Sequence, residues 1–314
     1  MHIRRLVKAG PSSHTIALPK EWIEKHNLKK GDAIHLRELS ETELAIAPKE
    51  QKDLPTIARE KLIEIDNKKI DTIQREITAA YLNNYNLITL VGDSISQKAK
   101  AIREIVHNFV ALEITEQSTK RISAKDYLNL KEISVDKTIK RIDMMIRTMF
   151  EDMLLNQGKK IQESLELRDE DINRLYFLLS RLLKSSLSEQ SIAKQLELQN
   201  KDILTYWQIV HDLESIADHI KQATEIISAN TANSKEMFEL YKQINIAYLD
   251  AMKAHYQKDK SLADQVAQKR ITINTTAENL ATQNKKPAVI QLSENAMSLL
   301  MHTINIARQV IDED

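Results

Sequence analysis

Residues 201–227 read KDILTYWQIVHDLESIADHIKQATEII, and in them Tyr206, Val210, Leu213, Ala217 and Ile220 recur at spacings of three and four. That is the period of an α-helix with one buried stripe. At about 100° per residue, His211, Glu214 and Asp218 fall within about 60° of one another at the border of that stripe. Two carboxylates one turn apart at such a border can ligate a hard or borderline cation, with a neighbouring helix supplying the remaining oxygens. The commoner reading of an i, i+4 acidic pair is a solvated helix face. Working outward, the helical period continues over 131–157, 162–187, 192–229, 234–258, 260–283 and 286–312. After Gly158 there is no further glycine and a single proline, Pro287. Few residues there carry the roughly 1 to 3 kcal/mol cost of Gly or Pro in a helix interior, so nearly all of this half is expected to be helical. In 234–258, Met237, Leu240, Tyr241, Ile244, Tyr248, Ala251 and Met252 form another such stripe. The joint Thr231–Ser234 is too short for anything but antiparallel neighbours. Six helices in two sets of three suggest a duplication, and Arg168–Asn173 and Lys269–Asn274 occupy matching places in it.

The start of the chain reads differently. Gly10, Gly31 and Gly92 with Pro11, Pro19, Pro48 and Pro55 all lie in the first 92 residues. Short alternating runs at 3–7 and 14–18, a helical segment ending at Gly31–Asp32, and two more β-prone runs predict a β-β-α-β-β unit of residues 1–50. A unit so small buries little surface, so pairing with a second copy is expected. Residues 51–68 are charged, contain Pro55 and read as a linker. Helices near 69–83 and 94–108, the run NLITLVG at 86–92 and two later β-prone runs predict a small α/β connector of two or three strands. The resulting division is 1–50, 51–129, 130–230 and 231–314, a multidomain and mainly α chain.

With 314 residues, 45 Lys+Arg and 45 Asp+Glu, the chain is neutral overall, so any basic surface must be local. Residues 1–30 hold seven basic and two acidic side chains, whereas 31–50 are net acidic. Doubled in a dimer, that basic end is a credible footprint for a phosphate backbone, and the bland alternative is a solvated positive face. No cysteine excludes disulfides, thiolate metal sites and a Cys nucleophile. No apolar stretch approaches a membrane span and the start lacks the apolar run of a signal peptide, which points to a soluble, cytoplasmic protein without membrane insertion.

Two stretches carry resemblances. RRLVKAGPSSHTIALPKEWIEKHNLKKGD, from Arg4 to Asp32, resembles the AbrB/SpoVT swapped-hairpin family, a likeness reaching to about residue 48. It implies an interleaved homodimer that contacts DNA through Arg4, Arg5, Lys8, Ser12, Ser13 and His14. DLESIADHIKQATE, Asp212 to Glu225, is similar to the PhoU family signature, as is RDEDINRL from Arg168, and the likeness extends over about 131–312. It implies two three-helix bundles, acidic motifs that bind metal, and regulation of phosphate uptake through a phosphate transporter ATPase. Asp169, Glu214 and Asp218 keep the acidic pattern, but Asn173 replaces an acid, and in the second repeat Arg270, Met297 and Met301 stand at acid positions. The implied cofactor is a divalent or ferric ion at one weakened site, or none.

Two readings of function remain open at this point: a DNA-binding regulator of phosphate homeostasis, and a non-DNA-binding scaffold acting on the transporter ATPase. No Gly-rich phosphate cradle or nucleophile–base arrangement stands out, so an enzyme is not expected. His211 and His219 flank the acidic face, while His107, His255 and His302 read as packing or polar-edge residues. Met144, Met145, Met149 and Met153 read as helix core.

Overall fold

The computed structural model describes residues 3–40, 43–48, 59–156, 161–229 and 235–312. The anticipated linker proline Pro55, the joint Thr231–Ser234 and the expected helix end at 157 lie outside these described residues. The chain forms two compact units, Met1–Ile57 and Ala58–Asp314.

In the first unit β1 (Val7–Lys8) pairs antiparallel with β2 (His14–Thr15), α1 (Lys20–Lys25) follows Pro19, and β3 (His35–Ser40) pairs antiparallel with β4 (Glu43–Ala47). Pro19 suits the entry of α1 because its missing N–H would have had no partner there. The order is the expected β-β-α-β-β, but the first two strands are two residues long instead of five. Leu6, Val7 and Ile16 remain exposed, so packing does not hold the extended backbone beyond the short pair. Among the described side chains of this unit none is buried.

The second unit begins with an α/β layer: β5 (Glu60–Glu64), α2 (Ile70–Leu82), β6 (Leu87–Val91), α3 (Ile95–His107), β7 (Leu112–Gln117) and β8 (Arg121–Asp126). Its sheet has four strands in the order β5-β6-β8-β7, with β5 and β6 parallel across the α2 crossover and the other pairings antiparallel. The expectation of two or three strands, and of a linker through residue 68, is therefore corrected. β5 escaped notice because it is a charged edge strand in which only Ile63 is buried. At the end of β6, Gly92 passes so close to Asp66 that a Cβ would stand 2.7 Å from its Oδ1. That closeness lets Asp66 accept hydrogen bonds from Asp93 N, Ser94 N and Ser94 Oγ, tying the end of β5 to the start of α3.

The helices that follow are α4 (Val135–Asn156), α5 (Gln162–Ser188), a short α6 (Gln190–Gln195), α7 (Asn200–Ala229), α8 (Lys235–Gln257), α9 (Lys260–Gln283) and α10 (Pro287–Asp312). The single helix read over 192–229 is corrected to two. Glu197 adopts φ +57° and Leu198 N bonds back to Ala193 O, which closes α6. Asp202 then accepts from Gln199 N and opens α7. α4, α5 and α7 pack as one triad and α8, α9 and α10 as another, joined mainly along α7 and α10. One buried cluster from Val135 to Val310 runs through both. Met149 and Met153 lie in it, whereas Met144, expected in the core, is 67% exposed on the outer side of α4.

Three polar anchors cross this apolar frame. Asp143 of α4 accepts from Arg147 and from the hydroxyls of Tyr248 and Tyr256 on α8. Arg181 of α5, 2% exposed, reaches into the α/β layer to Asn84 Oδ1 and Asp126 Oδ2 and stacks over the Tyr81 ring. Tyr241 of α8 donates to Leu292 O and Asn295 Oδ1 of α10.

Candidate functional site

A group of charged side chains lies between α5 and α7, on faces that the three- and four-residue periods of these helices leave at the edge of the apolar core. Asp169 projects from α5 and is buried. Glu214 and Asp218, one turn apart on α7, are half-buried beside it. The structure thus brings together the three residues singled out from sequence. It also supplies one that sequence reading missed. Lys221, three residues beyond Asp218, places Nζ 2.5 Å from Asp169 Oδ2 and 3.3 Å from Asp218 Oδ1. Asn173 donates from Nδ2 to the same Asp169 Oδ2 at 3.4 Å.

Electrostatics follow from burial in a crowded acidic neighbourhood. Glu214 is pushed up to about 7, first by burial and then by the charges of Asp218 and Asp169. Burial likewise raises Asp169, with Lys221 working against it. Burial alone would lower Lys221, but its hydrogen bond to Asp169 and the charges of Asp169 and Asp218 outweigh that and hold the ammonium above its ordinary range. Tyr176, raised by burial and by the Glu214 charge, borders the group from α5.

A second polar cluster continues toward α10. Asp212, fully buried on α7, accepts from His302 Nδ1 at 2.8 Å, from Asn305 Nδ2 at 3.3 Å and from Gln208 Nε2 at 2.9 Å. Since a carboxylate only accepts, the His302 nitrogen facing it carries its proton. His219 lies 5.7 Å from His302, ring to ring, and its Nδ1 meets Asn295 Nδ2 at 3.2 Å. Burial lowers His219, and His302 adds to that. His302, read as a packing or polar-edge residue, stands at the polar edge and joins α10 to Asp212 of α7. The polar positions Asn295, His302 and Asn305, seven and three apart, were the available signal. His211 is exposed and lies beside the Tyr176 ring.

Residues 136–227 match the family model of the PhoU domain. That span takes in α4, α5, α6 and nearly all of α7, so the PhoU-matching triad is the one that carries Asp169, Glu214, Asp218 and Lys221. A comparison of the chain with curated proteins gave no match. The donor set in the PhoU-matching triad does not fit a bridging cation, because Lys221 holds a positive charge between the two helices' carboxylates and Asn173 adds no negative charge beside Asp169. Among the described residues no group of three or more His, Cys, Asp or Glu has the arrangement to hold a metal ion.

The residues singled out for DNA lie together in the other unit. Arg4 and Arg5 precede β1, Lys8 is the cross-strand partner of His14, and Ser12 and Ser13 form the intervening turn, closed by Ala9 N donating to Ser13 O. All six are exposed. Among the described residues no helix is long and apolar enough to cross a membrane.

Proposed function

We propose that the chain is a non-enzymatic regulator of phosphate uptake whose helical body receives the phosphate signal and whose first unit pairs two copies and sets their basic hairpins on DNA. The observation that carries this reading is the PhoU domain match over 136–227, which falls on the triad holding the acidic cluster. Pairing is supported by the first unit itself. Ile3, Leu6, Val7, Ile16, Leu36 and Leu44 are exposed in a unit whose described side chains include no buried one. A fold with that much apolar surface, and no buried side chain among those described, gains its stability from a second copy. The DNA reading is supported by the shared exposed hairpin of Arg4, Arg5, Lys8, Ser12, Ser13 and His14, a concentration of donors suited to phosphate oxygens.

A scaffold reading remains as the second. The exposed apolar residues Leu6, Val7 and Ile16 sit on the same hairpin as the basic ones, so burying them against a copy is itself a sufficient role for it. In that case the helical body acts on a phosphate transporter ATPase by protein contact alone. The two readings separate in one experiment. Under the DNA reading, replacing Arg4 and Arg5 with alanine weakens gel shifts of DNA captured from the source genome and flattens the salt dependence, while helicity is kept. Shifts unchanged in the variant overturn the assignment of DNA contact to Arg4 and Arg5, and no shift with the unaltered protein, alongside capture of the ATPase, favours the scaffold.

A further inference from the structure

The geometry points to Lys221 as a built-in cation: its ammonium occupies the seat between α5 and α7 that a metal ion bridging Asp169 and Asp218 would take, and makes the acidic cluster self-sufficient. Two observations carry this independently of function. The first is position. A divalent ion bound to both Asp169 Oδ2 and Asp218 Oδ1 would lie about 2.0 to 2.6 Å from each. Lys221 Nζ lies 2.5 and 3.3 Å from those same two oxygens, so ion and ammonium compete for one volume. The second is the chemistry of the neighbour. Asn173, where a second acid of the motif would extend the ligand set, brings no negative charge to hold a cation and here donates Nδ2–H to Asp169 Oδ2.

The physical reason for such a substitution is the burial of Asp169. A carboxylate removed from water is costly unless a cation and hydrogen bonds compensate it. Lysine offers a compact charge on a flexible stem that reaches from α7 across to α5. A covalently attached cation is always present at its site, whereas a metal ion comes and goes with its concentration and with pH. The clasp between α5 and α7 is thereby made independent of metal supply.

The test uses the full chain and Mn2+ as the probe. After incubation with Mn2+ and gel filtration, the unaltered protein should retain less than about a tenth of an ion per chain, and its melting temperature should not move on adding the ion. Lys221→Met, which keeps the aliphatic stem but leaves Asp169 and Asp218 unpaired, should retain about one Mn2+ per chain and melt several degrees higher with the ion than without it. Lys221→Arg keeps the charge and should stay metal-free. Adding Asp169→Asn to Lys221→Met should abolish the gained binding. One tightly held ion per chain in the unaltered protein overturns the proposal by itself. So does a folded Lys221→Met protein that takes up none. Should Lys221→Met fail to fold alone, Mn2+ must rescue it or the milder Lys221→Gln, and failure of rescue in both overturns the proposal too.

Discussion

Replacing Glu214 with glutamine removes a single proton-binding group from the α5–α7 contact while keeping its shape, and the consequence for stability has a definite sign. In the folded chain burial, then the charges of Asp218 and Asp169, raise this carboxyl from 4.5 to about 7. Between those values the folded state holds a proton that the unfolded state has released, so stability falls as pH rises through that window and is flat on either side. At about 1.4 kcal/mol per pH unit the full shift corresponds to roughly 3 kcal/mol. Part of the carboxyl faces water, so about 1 to 2 kcal/mol is the realistic loss. Urea denaturation of both proteins from pH 5 to pH 8 measures it. Glu214→Gln should match the unaltered protein near pH 5 and exceed it by that amount at pH 8. Parallel curves across the range, or a variant less stable at pH 8, would refute the assignment of Glu214 as a buried and crowded carboxyl.

Arg181→Ala strands the nearly buried carboxylate of Asp126 and removes the hydrogen bonds to Asn84, so a loss of about 3 to 5 kcal/mol is expected, read from the urea midpoint. An unchanged midpoint would mean that apolar contacts such as Phe177 against the α/β core suffice to hold the layers together. Asp143→Ala leaves the buried hydroxyl of Tyr248 and the guanidinium of Arg147 without their acceptor and should cost about 3 kcal/mol. Asp143→Asn should recover part of that in the same assay.

Much of this architecture could be read from residue periods, and the exceptions share a cause. The long helices announced themselves because each has one apolar stripe and few breakers, and the bounds expected for the last two, 260–283 and 286–312, fall within a residue of α9 and α10. β5 was hidden because an edge strand with one buried side chain reads as a charged linker. The break between α6 and α7 was hidden because Glu197, neither Gly nor Asn, takes the positive φ, although Asp202 three residues after Gln199 was a readable start signal. Glu214 and Asp218 were legible as an acidic pair, since spacing fixes which helix face a residue occupies, and Asp169 joined them only through the PhoU resemblance. The pairing of Asp169 and Asp218 with Lys221 was not legible, because spacing says nothing of how far a flexible side chain reaches toward another helix. The partner of His302 was not legible for the same reason: Asp212 lies 90 residues away on a different helix.

The central claim is that this chain ties phosphate uptake to phosphate supply. The direct measurement is the rate of radiolabelled phosphate uptake in cells grown with plentiful phosphate, with the gene intact, deleted, and restored. Uptake that stays high after deletion and falls again on restoration is the predicted result. Uptake identical in all three strains, at both high and low phosphate, would contradict the claim.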